Sequence, residues 1–137
     1  MAIGVRAVEY YYMRVENEPR KAFELLARLA SEEINLLAFS AVPFGPNHVE
    51  LTIFPDRTAE FQALAAKSRW SLIGPQHAIL IQGDDQLGAL AEIHKTLQDA
   101  GIRVFASTGV TDGQGGYGYV IYTKEGDHLA AAKALSG

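Results

Sequence analysis

Shifted by 68 positions, this chain lies on itself without a gap, and that duplication restricts its possible folds more than any other feature. The offset carries Pro19 onto Leu87, Leu29 onto Leu97, Ile34 onto Ile102, Ala38 onto Ala106 and Val42 onto Val110. It continues with Gly45 on Gly113, Ile53 on Ile121, Phe61 on Leu129, Ala63 on Ala131 and Ala66 on Ala134. Apolar positions meet apolar positions and a turn glycine meets a turn glycine, so one structural unit is written twice. With 137 residues in all, each unit is small and has to bury its apolar face economically.

Both copies follow the same order of local signals. A β-branched and aromatic run opens each, "EYYYMRV" (residues 9–15) and "HAILIQG" (residues 77–83), and predicts a strand. A polar junction, "ENEPR" or "DDQLG", leads into a helix. Its apolar residues fall three and four apart: Phe23, Leu25, Leu26 and Leu29 in one copy, Leu90, Ile93 and Leu97 in the other. Gly101 supplies the left-handed stop of the second of these helices. A hairpin follows, "INLLAFSAV" through "PFGPN" to "HVELTIF", and "IRVFASTGV" through "TDGQGG" to "YGYVIY". A second helix closes each copy, with Asp56 and Asp127 placed to cap it.

Strand, helix, strand, strand, helix, strand predicts two ferredoxin-like βαββαβ units in tandem, an α+β fold with antiparallel sheets and helices on one face. "SRWSLI" (residues 68–73) reads as the last strand of the first copy, whereas the second copy has no strand after its final helix. The offset places "WSLIG" (residues 70–74) on residues 2–6. Residues 2–8, "AIGVRAV", are therefore expected to be the missing strand of the second copy, in the same chain or in a dimer partner, because an open sheet edge invites one. The expected units are residues 1–74, carrying this extra strand, and residues 75–137.

Composition removes several classes of function. The formal net charge is −4 with Lys and Arg scattered, which argues against a nucleic-acid footprint or a polybasic membrane patch. Hydrophobic residues at 48% against 20% charged predict a packed globular protein. There is no cysteine, so disulfides, thiolate catalysis and thiolate metal sites are excluded. No secretory leader pattern and no apolar run of membrane-spanning length is present, and a cytoplasmic location is expected. His48, His77, His94 and His128 show neither i, i+4 nor HxH spacing, and no metal or cofactor is expected. Asp84 and Asp85 are sequence neighbours that tend to diverge on a strand or turn, which disfavours a catalytic pair. The glycines of "DGQGGYG" precede a strand rather than a helix and read as a hairpin, not a phosphate loop. In "YYY", Tyr11 faces opposite to Tyr10 and Tyr12.

At the junction between first strand and first helix, "NEPRKAFELL" (residues 17–26) and "DQLGALAEI" (residues 85–93) resemble the ACT-domain family of amino-acid-sensing regulatory modules. That family favours an Asp or Asn, then Pro-Gly, then small and aliphatic residues. "INLLAFSA" and "IRVFASTG" resemble its second strand. The resemblance covers the whole chain as a tandem pair. The first copy keeps Pro19 but has Arg20 for the glycine; the second keeps Gly88 but has Leu87 for the proline.

The resemblance implies a non-enzymatic regulatory protein that binds an amino acid at an interface between ACT units, acts as a homodimer and modulates a partner metabolic enzyme. The expected contact residues are Asn17, Pro19, Arg20, Asp85, Leu87, Gly88, Ala89 and Ile102, with walls from residues 34–39 and 102–107. Physics supports such a site: the free N–H groups of a helix start can hold a carboxylate, and an Asp or Asn oxygen can accept from an ammonium group. The same Asn17, Pro19 and Asp85 also suit plain helix capping. Two other classes stay open, an assembly or regulatory subunit without its own ligand, and a small enzyme on a ferredoxin-like scaffold such as a dimeric monooxygenase.

Overall fold

The computed structural model describes residues 3–137. Its elements, in order, are β1 (Ile3–Glu16), α1 (Pro19–Ser31), β2 (Leu36–Phe44), β3 (His48–Pro55) and α2 (Thr58–Ser68). They continue with β4 (Ile73–Asp84), α3 (Ala89–Asp99), β5 (Val104–Thr111), β6 (Gly116–Thr123) and α4 (His128–Ser136). The chain divides into two compact units, Glu9–Gln76 and His77–Gly137, the latter grouped with residues 3–8. The expected division at residues 74 and 75 thus differs from the compact one. Strands β1 and β4 are longer than either sequence pattern indicated, and each serves one unit with its first part and the other with its second.

Within Glu9–Gln76 the strand order is β2-β3-β1-β4, with β1 contributing residues 9–16 and β4 residues 73–76. Alternation along the strands sends Tyr11 and Met13 inward, opposite Ile53 and Leu51 in antiparallel register. These four side chains meet Leu25 and Leu29 of α1 and Phe61 and Leu64 of α2 in one core. Both helices therefore lie on one face of this sheet. On the other face, Tyr10 stacks on Phe54 with ring centroids 5.0 Å apart, and Tyr12 meets Tyr10 edge-on at 5.4 Å. Each fully buried Leu, Ile or Phe contributes about 1.5–3 kcal/mol.

The second unit repeats this plan in detail. Its order is β1-β4-β6-β5, with β1 contributing residues 3–8. Tyr11 pairs with Ile53 in one unit and Ile79 with Ile121 in the other; Ala38 pairs with Phe54, Ala106 with Tyr122. Both hairpins carry an irregularity at the same place, between Leu36 and Ala38 and between Val104 and Ala106. All of these correspond at an offset of 68. Ile79, Ile81 and Ile121 form the core with Ile93 and Leu97 of α3 and Ala131 of α4, and Val5 packs against it. Residues 3–8 thus lie on the β4 edge of this unit in their own chain; a Cβ added to Gly4 would sit 3.7 Å from the Gln82 carbonyl oxygen. Ala2, which belonged to the expected strand, lies outside the described residues.

The structure corrects four sequence expectations. "SRWSLI" is not a strand: α2 ends at Ser68, Arg69 takes a left-handed conformation, and the Trp70 N–H donates to the Ala65 carbonyl at 2.9 Å. That closure reverses the chain, and Trp70 and Leu72 pack against the core before β4 begins. The helix stripes are narrower than their spacing suggested, because two-layer packing buries only Leu25 and Leu29 of α1 and Ile93 and Leu97 of α3. Phe23, Leu26 and Leu90 stay exposed. The match of Phe61 to Leu129 is chemical but not spatial, since Phe61 is 0% exposed and Leu129 66%. Finally, no side chain caps α2 or α4: Asp127 is the cap residue of α4 without a side-chain bond, and Asp56 instead accepts from the Asn35 N–H at 3.1 Å.

Candidate functional site

The two strand-to-helix junctions, equivalent in sequence, are built differently. In Glu9–Gln76, Glu18 is the cap residue of α1 and Pro19 its first residue, with no side-chain cap bond. Proline fits there because its missing N–H would have lacked a helical partner anyway. The Asn17 N–H donates to the Asn47 carbonyl at 2.9 Å, fixing the junction to the β2–β3 hairpin. Arg20 lies 3.9 Å from Glu18. Asn17, Pro19 and Arg20 are brought together only as neighbours in sequence, and none of them lines a described groove.

In the second unit the junction is longer. Gly88 is the cap residue of α3, with φ 85° and no side-chain cap, so Asp85, three residues earlier, is not the cap its residue type suggested. Left-handed backbone is costly for other residues and ordinary for glycine. The Ala89 N–H donates to the Gln86 carbonyl at 3.0 Å and the Glu92 N–H to the Gly88 carbonyl at 3.1 Å. Between them, the N–H groups of Leu90 and Ala91 have no protein acceptor among the described residues. A helix start with free N–H groups favours a carboxylate.

These residues form one wall of an open groove of about 610 Å³. Asp85, Leu87, Gly88, Ala89, Leu90 and Ala91 line that side; Gly109, Val110 and Thr111 of β5 and Tyr117 and Gly118 of β6 line the other. Leu87 is fully exposed and Val110 is 73% exposed, so the walls offer apolar surface to a ligand. The Asp85 N–H donates to the Gly115 carbonyl at 2.8 Å, which pins the junction to the β5–β6 turn. That turn is held by Asp112, whose carboxylate accepts from the N–H groups of Gln114 (2.6 Å) and Gly116 (3.0 Å). The first of these bonds, then the second, holds its pKa below the ordinary carboxylate value. Burial, with the charge of Asp84 adding, pushes the Tyr117 phenol up.

Four of the eight expected contact residues, Asp85, Leu87, Gly88 and Ala89, therefore share one groove. Ile102 does not: its N–H donates to Leu97 at 2.9 Å and its side chain packs against the core. The expected walls at residues 34–39 and 102–107 are replaced by the far end of β5, because antiparallel pairing brings residues 109–111 rather than 102–107 to this end of the sheet. A Cβ on Gly88 would meet nothing within 4 Å, so the backbone conformation rather than a tight approach calls for glycine.

Two side-chain groups that spacing could not reveal lie in the same unit. A chain of hydrogen bonds links His94 Nε2 to the Tyr119 hydroxyl (2.7 Å) and that hydroxyl to Ser107 Oγ (2.8 Å). The Tyr119 ring lies behind the groove wall, where a Cβ on Gly109 would come within 2.7 Å of it. His77, Glu125 and His128 bring three possible metal-ligating atoms within 4.8 Å of one another. The two imidazoles stack at 4.2 Å with planes 6° apart, which sets their nitrogen lone pairs side by side rather than aimed at one point. His77 Nδ1 lies 2.9 Å from Glu125 Oε1, and this bond lowers the Glu125 pKa. The arrangement is that of a hydrogen-bonded His–Glu pair beside a ring stack.

No protein-family model matches the chain, and no curated protein matches it in sequence. Solved structures resemble it throughout. A protein from Bacteroides thetaiotaomicron superposes with a TM-score of 0.80 at 17% identity, over 96% of this chain and 88% of the other. The ligand-free regulatory subunit of aspartate kinase from Thermus thermophilus gives 0.64 at 12%, over 98% and 94%. The regulatory subunit of aspartate kinase from Thermus flavus gives 0.54 at 13%, over 98% and 94%. At such identities the likeness is one of fold, and the fold is the ACT-like ferredoxin fold found in regulatory domains of aspartate kinase. No helix among the described residues is long and apolar enough to cross a membrane.

Proposed function

We propose that this protein is a non-enzymatic regulatory module that binds a free amino acid in the groove at the start of α3. The observation that carries the reading is the coincidence, at one place, of a helix start with two unpartnered N–H groups, the Asp85 carboxylate and apolar walls. The N–H groups of Leu90 and Ala91 hold the ligand carboxylate, and Asp85 accepts from its ammonium group. Leu87, Leu90, Val110 and Tyr117 contact the ligand side chain. Opposite charges at the two ends of one groove suit a zwitterion and leave an uncharged or singly charged analogue half-satisfied.

A groove of about 610 Å³ is larger than a free amino acid fills, and it is open on one side. A second copy of this chain closes it in the proposed assembly, so ligand and dimer stabilise one another and the occupied state is the one read by a partner enzyme of amino-acid metabolism. The regulatory subunits of aspartate kinase with a similar fold support this reading. A calorimetric and thermal-shift screen over the common amino acids, combined with light scattering, tests it. Saturable binding of at least one amino acid with a shift toward dimer is the expected result. Absence of binding by every amino acid at millimolar concentration would leave an assembly subunit without its own ligand as the better reading.

A further inference from the structure

A second groove occurs in both units at positions that correspond under the offset of 68. In the second unit it holds about 180 Å³ and is lined by Gly83, Ala89, Glu92, Ile93 and Thr96 among others. In Glu9–Gln76 it holds about 510 Å³, with Val15, Lys21, Glu24, Leu25 and Arg28 at the equivalent places. Arg14, Arg69 and Trp70 are also part of its lining. The scaffold itself requires no cation here, because the second copy lines its groove with Ala89 for Lys21 and Thr96 for Arg28, and the positions equivalent to Arg14 and Arg69 are the uncharged Gln82 and Gly137. Only the carboxylate, Glu24 or Glu92, is common to both.

The four cations are not equally engaged. Arg14 alternates with the inward-facing Met13 and so points to the opposite sheet face, where it pairs with Glu50 at 3.1 Å and lies over the Phe44 ring, 3.8 Å from its centroid. Lys21 lies 3.7 Å from Glu16. The guanidinium groups of Arg28 and Arg69 have no ion-pair or hydrogen-bond acceptor among the described residues, Glu24 included. Arg69 is held at the rim by the left-handed end of α2. The floor is apolar, formed by Met13, Leu25 and Trp70.

We infer that this groove binds a small polyanion, a phosphate- or carboxylate-bearing molecule with an apolar or aromatic body. Guanidinium forks match the planar oxygen pairs of both groups, and the volume falls in the range of small-molecule sites, about 300–1,000 Å³. The anionic end sits between Arg28 and Arg69, and the body lies against the Trp70 indole. This inference does not depend on the amino-acid groove, which belongs to the other unit.

Trp70 is the chain's single tryptophan and reports directly on the site. The full chain is titrated with pyrophosphate and, separately, citrate, against potassium chloride at matched ionic strength, with indole fluorescence as the signal. A saturable change with pyrophosphate alone identifies a phosphate ligand, and one with citrate alone a carboxylate ligand. Arg28→Gln/Arg69→Gln, on two exposed side chains, should raise the dissociation constant at least about tenfold while leaving the melting temperature in place. If the double variant melts lower, Arg28→Gln and Arg69→Gln singly give the same comparison. No saturable change for either anion, or a double variant that titrates like the parent, overturns the inference.

Discussion

Two copies of one sequence plan enter their first helices by different routes, and the difference decides which junction borders a groove. In Glu9–Gln76 the path from β1 into α1 is short: Pro19 starts the helix and the Asn17 N–H is tied to Asn47. In the second unit a turn at residues 86–88 precedes α3, and Gly88 enters it with φ 85°. The added turn stands away from the sheet and leaves a groove beneath it. In the first unit the comparable groove lies elsewhere, around Arg28 and Arg69. The two copies share a scaffold and diverge in the residues that line their grooves.

The comparison rests first on equal cores. Leu29 and Leu97 correspond and are each 1% exposed, so Leu29→Ala and Leu97→Ala should each cost about 2–5 kcal/mol. Chemical denaturation measures both, and a cost confined to one variant would show that the two cores do not contribute alike. Next in size is Gly88→Val. It places a β-branched residue in left-handed backbone, at a cost of about 1–2 kcal/mol, and its side chain projects over the groove. Amino-acid-induced stabilisation should vanish while the far-UV spectrum persists; an intact ligand response in a folded variant would remove the groove from consideration.

A smaller difference sits at the ends of α1 and α3. Gly101 has φ 74°, and its counterpart Glu33 adopts φ 59° with no relief from glycine. The Glu33 carbonyl accepts from Arg57, so the position is held despite the residue. Glu33→Gly should stabilise the protein by up to about 1 kcal/mol, and Gly101→Ala should destabilise it by a similar amount. Paired thermal melts read the two signs, and matching signs would refute the equivalence of the two helix ends.

The smallest expected effect is acid sensitivity at the β5–β6 turn. The Asp112 carboxyl has a lowered pKa in the folded protein. Its contribution to stability is therefore in place above the ordinary carboxylate value and is lost as pH falls through the depressed folded value. Asp112→Asn should flatten that limb of the stability–pH curve, as seen in melts from neutral to strongly acidic pH. The corresponding position in the first hairpin is Phe44, which does not titrate. An unchanged acid limb in Asp112→Asn would place the sensitivity outside this turn.

About a third of the lining of the groove at the start of α3 was legible in the sequence. Asp85, Leu87, Gly88 and Ala89 announce themselves as a junction between strand and helix, because residue type and backbone conformation are local matters. Val110, Thr111 and Tyr117 do not, since they reach the groove through a hairpin whose pairing decides which end of β5 arrives there. Capping was misread for a related reason. Asn17 and Asp85 are good cap types, yet each N–H is committed to a neighbouring turn, and the helices begin later. The His77, Glu125 and His128 cluster and the His94, Tyr119 and Ser107 chain join residues from separate elements, so no spacing rule could reveal them.

By itself the sequence determined the duplication, the order of elements and the alternation of faces along each strand. These follow from periodicities of two and 3.6 residues that any chain with this pattern must satisfy. The correspondence of strand registers at 68 residues descends from the same source, since a slip of one residue would turn an apolar face to water. Tertiary structure alone decided that β1 and β4 are each one continuous strand, how far the helix stripes are buried, and where grooves remain. Those depend on the space left when sheets and helices pack, and Phe61 and Leu129 show the point: both are large and apolar, both match in sequence, and only Phe61 has a core to enter.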